Sequence, residues 1–399
     1  MKIVNMNRKL SSDTLETVTL KLFEYCLANN WAGHDPYDAL NSELFKRMPF
    51  LDFWLPRLAL TQLLKRSPIN FRSLLMIPKT QNPKALALFL MAFLKLPQDR
   101  QLEHSNSIDM MVESIKTLRS PHINYWCWGY SFPWQGRSIL ALKGEPNIVC
   151  TVSVANALTE VYEKNQAMDC LTMATSAAEY LLNELYWSEG DNAGFSYPLP
   201  SFQTRVHNAN FLGAALLCRI YKHTGEKKYL EPALKAARYS ASMQHPDGGW
   251  DYGEQNKQNW IDNFHTGYNL ESLRMLCNYL NTDEFEPHLR RGFKFYRDHF
   301  FQEDGVPKYF HNKTYPIDIH SVAQSIITLI KLRNLDQGNV ELAHRVFEWA
   351  VNNMWDERGY FYYQVTPYYK NKISYMRWSQ AWMLLALTIL YEQYKTDII

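Results

Sequence analysis

Residues Gln244–Leu273 read QHPDGGWDYGEQNKQNWIDNFHTGYNLESL, and the plan of this stretch decides the fold. It has three parts. Asp247-Gly248-Gly249-Trp250-Asp251-Tyr252-Gly253 is a tight turn among aromatics, a polar loop ends in Trp260-Ile261-Asp262-Asn263, and His265-Thr266-Gly267-Tyr268-Asn269 opens an amphipathic helix. Weaker copies recur on both sides. Helices apolar on nearly every face are expected to begin near Thr151, His207, His265, His320 and Arg377, at steps of 56, 58, 55 and 57 residues. Helices with a single apolar stripe lie between them, near 168–186, 228–243, 284–299 and 340–354. Each of these is followed by a Gly-aromatic turn such as Gly194-Phe195 or Gly359-Tyr360.

A buried helix alternating with a half-exposed one has two regular solutions, an open solenoid or a closed ring of hairpins. An open stack needs terminal repeats with a polar outer face, and none is visible. The expected fold is therefore all-α, an (α/α)6 toroid with short Gly-aromatic turns or hairpins, Gly359–Gln364 among them. Pro83–Leu94 supplies the sixth inner helix and residues 12–29 an outer one. Residues 1–399 are read as a single domain, with 1–80 a less regular part that completes the ring.

The composition narrows the function. Formal net charge is +2, without the basic face that a nucleic-acid binder needs. Six cysteines are scattered through apolar helices without CxxC pairs, which points to buried thiols. The longest apolar runs, Ala85–Leu94 and Ala381–Leu387, are too short to cross a bilayer. The first residues lack the apolar core of a signal peptide, so a cytoplasmic protein without a transmembrane segment is expected. Aromatics make up 14% of the chain, including 12 Trp and 25 Tyr, and rings in polar loops are platforms on which sugars stack.

In a toroid, the loops leading into the inner helices share one rim. The rim then carries Asn147, Thr151, His207, Asn208, Asn210, Asp251, Tyr252, Asp262, His265, Tyr268, Asp318, His320, Gln324, Tyr375, Arg377, Trp378 and Gln380. Helix N-termini favour anions. His265, Tyr268 and Tyr375 are candidate acid/bases, and Asp262, Asp318 and Asp251 are candidate carboxylates that could equally cap helices. Arg377 is a candidate clamp for a substrate carboxylate, with Trp378 beneath it as a stacking floor; its alternative is an ion pair with Asp262 or Asp318. Trp250, Asp251, Tyr252, His207, Asn210, His320 and Gln324 complete the expected binding set. Trp250 could instead staple an outer helix to an inner one. The three rim histidines sit too far around the ring to share an ion, so neither metal nor cofactor is expected. Asp35 and Asp38, in Trp31-Ala32-Gly33-His34-Asp35-Pro36-Tyr37-Asp38, read mainly as turn and cap residues. The turn Gln244 to Trp250 also echoes terpene cyclases, but their Asp-rich catalytic motif is not evident.

With these residues in view, the chain resembles bacterial polysaccharide-biosynthesis proteins of the VpsJ type. The resemblance is carried by GHDPYDALNS (33–42), RSPINFRSLL (66–75), NPKALALFL (82–90), SFPWQGR (131–137), HNANFL (207–212), DGGWDYGE (247–254), WIDNFHTGYNLESL (260–273), PIDIHSVAQSI (316–326) and YMRWSQAWM (375–383). More distantly, the chain is similar to the helical toroids of glucuronyl C5-epimerases and of hydrolases and lyases acting on uronic acids. The resemblance implies a role in exopolysaccharide assembly, a neutral or anionic oligo- or polysaccharide partner, and association with assembly proteins. It leaves three readings open: proton abstraction at C5 of a uronate, hydrolysis by paired carboxylates, or a non-catalytic glycan-binding or scaffold subunit.

Overall fold

The computed structural model describes residues 2–137 and 139–396. Among them the helices are α1 (Lys2–Ala28), α2 (Glu43–Lys46), α3 (Trp54–Arg66), α4 (Pro83–Phe93), α5 (Gln98–Glu103), α6 (Ser107–Thr117), α7 (Ile148–Asn165), α8 (Met168–Tyr180), α9 (His207–Thr224), α10 (Lys227–Ser242), α11 (Asn263–Leu280), α12 (Glu286–His299), α13 (Ile319–Lys331), α14 (Asn339–Met354) and α15 (Trp382–Thr396). Helices α4, α7, α9, α11, α13 and α15 each touch the next, and α15 returns to α4. The ring is closed. Outside it, α6, α8, α10, α12, α14 and α1 pack on those six in turn. This is the (α/α)6 toroid.

Sequence pattern explains which helix goes where. In α13, IHSVAQSIITLIK, every residue from Ile319 to Ile330 is buried, as a helix walled on all sides requires. In α12 only Leu289, Gly292, Phe293, Phe295 and Tyr296 are buried, one stripe spaced three and four apart. Inner helices pack closely where small residues allow it. A Cβ at Gly267 of α11 would lie 2.7 Å from Gln324 and Thr328 of α13.

Four of the inner helices start where a short polar side chain satisfies their free N–H groups, whereas α9 starts after Val206 without one. Asn82, Asn147, Asp262 and Asp318 cap α4, α7, α11 and α13. The expected starts at Thr151, His265 and His320 fall three, two and one residues inside the observed ones, because the cap and not the first apolar residue sets the boundary. The segment around Arg377 differs more. Met376–Ala381 forms a wide π turn, in which the N–H groups of Ser379 and Gln380 both donate to Tyr375 O (2.9 and 3.1 Å), and α15 proper begins at Trp382.

The turns form short strands. Tyr360–Phe361 pairs with Trp355–Asp356, and Gln364–Val365 joins Ile317–Asp318 and Lys370–Asn371 in a three-stranded sheet. Gly248 takes a positive φ of 104°, and a Cβ there would meet Arg291 O at 2.3 Å, so the Gly-Gly turn admits no side chain at this position. All six cysteines are free and buried, as expected.

Candidate functional site

The first turns of five inner helices and the π turn that leads into α15 open onto one pocket of about 430 Å³. Lys84 of α4, Val149 of α7, Asn208 of α9, Phe264, His265 and Tyr268 of α11, His320 of α13 and Arg377 with Trp378 of the π turn all line it. It therefore sits on the ring axis at the N-terminal mouth. A second cavity of about 340 Å³ lies at the other end of the ring, and Lys84, Val149 and Tyr268 face both.

His265 is held from below. As cap of α11, Asp262 accepts from His265 N (2.9 Å), and its other oxygen meets His265 Nδ1 at 2.7 Å. The cap residue thus also orients the imidazole and leaves Nε2 for the pocket. Beside it, Tyr268 Oη lies 2.7 Å from His320 Nε2. Burial pushes the Tyr268 hydroxyl well above its ordinary range and His320 well below, so the pair rests as phenol and neutral imidazole. Ring contacts run unbroken from His265 through Phe264 (4.3 Å) and His320 (4.5 Å) to Trp378 (4.7 Å).

Asp318 accepts from His320 N, from Trp378 Nε1 (2.9 Å) and from Gln364 Nε2 (2.7 Å). Its carboxyl is nevertheless raised to about 6, because complete burial outweighs these donors. It fixes the Trp378 ring and does not reach the pocket wall.

Arg377 requires a correction. Neither Asp262 nor Asp318 is its partner, and it is not a free clamp. Its Nε and Nη2 donate to the two oxygens of Asp35 at 2.6 and 2.8 Å. This buried bidentate pair joins the N-terminal motif to the last turn of the ring, where Met376 N also donates to His34 O. Asp35 is therefore more than a turn residue. Asp38 likewise holds the buried Arg72 at 2.8 Å.

Other expected residues lie off this pocket. Trp250 is buried, donates to Ser240 O and packs on Phe211, so it staples α10 to α9. Asp251 faces His245 at 3.6 Å beside a minor cleft. His207 is lowered to about 4 by burial and sits by Ser240, which also receives Asn210 Nδ2. Gln324 is one turn below His320, in the second cavity, bonded to Thr328 and Glu271. Tyr375 is buried with the Arg72 guanidinium over its ring. Side chains three or four residues into a helix lie a full turn, about 5.4 Å, deeper than the rim. Tyr252 does reach the pocket, stacked on Trp260 at 4.3 Å.

The residues missed are mostly rings and lysines. Tyr130, Phe132, Trp134, Tyr197 and Tyr309 come from loops before inner helices, and Tyr37 and Lys65 from the N-terminal part. Lys65 Nζ donates to Tyr37 Oη at 2.5 Å. Lys84 is the most informative omission. It is buried, stands 5.1 Å from the Trp382 ring and 5.6 Å from that of Tyr268, and pairs with no described carboxylate. Burial, reinforced by nearby Arg377, lowers it to about 7. A signal was present: a lone lysine opens the otherwise apolar PKALALFLMAF at the rim register. Among the described residues lining this pocket there is no Asp or Glu.

No protein-family model matches the sequence, and no curated protein matches it significantly. Solved structures do match. An unsaturated glucuronyl hydrolase from Streptococcus agalactiae superposes with a TM-score of 0.62 at 12% identity, over 96% of this chain and 92% of that one. Cellobiose 2-epimerase from Bacillus thermoamylovorans gives 0.59 at 13% identity, over 80% and 90%. A polysaccharide lyase gives 0.57 at 12%, over 97% and 98%. The likeness is one of fold.

Proposed function

We propose that this chain is a carbohydrate-active enzyme that takes a uronic-acid-containing glycan and acts by proton abstraction at C5. The observation that carries this reading is Lys84, a buried cation without a carboxylate partner on the floor of an aromatic-lined pocket. A desolvated cation needs a counter-charge, and a ligand carboxylate supplies one while the rings stack on its sugar faces. Arg377 is already neutralised by Asp35, so Lys84 takes the role of carboxylate partner.

The chemistry follows from the two flanking pairs. His265 Nε2, with Asp262 behind Nδ1, takes the C5 proton. The electron pair passes into the substrate carboxylate as an enolate, and Lys84 faces the charge that develops. Tyr268, kept protonated, returns a proton on the opposite face and gives the C5 epimer. If the pair instead expels the C4 substituent, the product is unsaturated. Hydrolysis needs two carboxylates spaced about 5–10 Å apart across the bond, and none of the described residues of the pocket wall is one. Fold neighbours named for glucuronyl hydrolysis, sugar epimerisation and polysaccharide cleavage support a sugar substrate. The resemblance to exopolysaccharide-cluster proteins supports a place in cell-surface glycan assembly.

The test is incubation with uronate oligosaccharides in deuterated water. Deuterium at C5, or an unsaturated uronate end, is the expected result. Neither product across glucuronate, galacturonate and mannuronate oligomers, together with new reducing ends, would overturn the proposal in favour of hydrolysis. Neither product and no new ends would leave a binding role.

A further inference from the structure

The segment from α2 to the loop before α4 carries a surface that the ring does not use. Of the eighteen large apolar side chains exposed among the described residues, ten lie between Leu44 and Met76. Phe50 and Leu74 are each 73% exposed and Leu63 is 63% exposed. On α3, Leu55, Ala59 and Leu63 follow one another at four-residue steps along one exposed face. The segment's own core is small, centred on Ala39, Leu64 and Ile77. So dense a set of exposed apolar side chains in one short segment marks a contact site.

Charge says what the contact is with. Between residues 43 and 79 there are six accessible basic side chains (Lys46, Arg47, Arg57, Lys65, Arg66 and Lys79) against two acidic ones. Both acids are already paired inside the segment, Glu43 with Lys46 and Asp52 with Arg57. The surplus exceeds the net charge of +2 of the whole chain, so the remainder of the protein carries no positive excess of its own. Exposed Phe, Trp and Leu side chains interleaved with Arg47, Arg66 and Lys79, which no acidic side chain of the segment offsets, are the composition of a surface that lies in a membrane interface.

We propose that residues 43–79 seat the protein on an anionic lipid surface. The apolar side chains enter the headgroup boundary, and Arg47, Arg66 and Lys79 lie among acidic headgroups. The seat adjoins the pocket. Lys65 of α3 lines the pocket, and Trp54 Nε1 donates to Arg137 O (2.8 Å) in the hairpin that carries the pocket residue Trp134. A seated protein therefore holds its mouth beside the bilayer, where a membrane-borne glycan is presented. This inference is independent of the reaction proposed above.

The test is flotation of the full chain with vesicles. Vesicles are phosphatidylcholine alone or with roughly one third phosphatidylglycerol, at about 0.1 M and about 1 M salt, where the screening length falls from about 10 to about 3 Å. Flotation with the anionic vesicles at low salt, falling at least about tenfold at high salt or with neutral vesicles, is expected. Phe50→Ser/Leu63→Ser/Leu74→Ser should lose it without a change in thermal midpoint. Arg47→Glu/Arg66→Glu changes only exposed side chains and carries the test should the apolar variant misfold. Failure of the wild type to float, or equal flotation with neutral vesicles, overturns the proposal. So does a solution dimer that the serine variant dissociates, since the face would then be a contact between copies.

Discussion

Replacing Lys84 by Met tests the central element of the site directly. The side chain keeps its length and loses its charge. In the folded protein the lysine falls from 10.5 to about 7, chiefly through burial. At about 1.36 kcal/mol per tenfold change, holding the charged form there costs up to about 5 kcal/mol. Relaxation and water reaching the pocket bring the expected figure to about 2–4 kcal/mol. The sign follows from proton linkage. Between pH 7 and 10.5 the unfolded chain binds a proton at Lys84 that the folded chain does not, so this residue makes stability rise with pH across that window. Below pH 7 both states are charged and the full cost is present. Lys84→Met should therefore be more stable than wild type at pH 6, with the advantage shrinking as pH rises toward 10. Equilibrium urea unfolding of both proteins at pH 6, 8 and 9.5 measures the difference, which cancels the other titrating groups. Binding supplies a second reading. A uronate carboxylate beside Lys84 restores its proton, so titration calorimetry in buffers of different ionisation enthalpy should show proton uptake on binding above pH 7. Both proton uptake and the preference for uronates over neutral sugars should vanish in the variant. Equal or lower stability of Lys84→Met at pH 6, with no pH-dependent difference, would refute the argument that this cation is buried and unpaired.

Three further outcomes are expected. His265→Gln should lower C5 exchange by about 10²- to 10⁴-fold, the usual weight of one acid/base group, while uronate binding persists in fluorescence titration. Asp35→Ala should cost about 3–5 kcal/mol in urea unfolding because Arg377 is left buried and unpaired, and the double change Asp35→Leu/Arg377→Met should cost less than Asp35→Ala alone. Asp318 keeps its proton up to about 6 in the folded protein against 3.8 ordinarily, so its contribution is present below pH 3.8 and is lost as pH rises through 6. Asp318→Asn cannot ionise, and the stability difference from wild type should change by up to about 3 kcal/mol between pH 4 and 7.

The periodic apolar pattern alone determined the ring. A helix such as His207–Thr224, apolar almost all round, must be enclosed, and its recurrence every 56 or so residues leaves few ways to enclose five such helices. Pro83–Leu94 was readable as the sixth for the same reason. The rim register was also legible, because the starts of the inner helices recur at steps of 55 to 58 residues. It placed His265, Tyr268, His320, Arg377 and Trp378 at one mouth, and all five line the pocket. The same register carried Asn210 and Gln324 along with them, although one helical turn buries both below the rim.

What only the tertiary structure decided was pairing across sequence distance. Asp35 and Arg377 are 342 residues apart, and no local spacing marks them as partners. Lys84 is the converse case. Its significance is that no described carboxylate pairs with it, and that is a property of the assembled ring and not of the residues beside it in the chain. Pocket aromatics such as Tyr130 and Tyr309 lie on loops whose paths depend on closure of the whole ring. Helical periodicity is a local consequence of backbone geometry and survives in the linear sequence. Counter-charges and cavity walls are set by the packing of distant segments, and they exist only once the chain has closed.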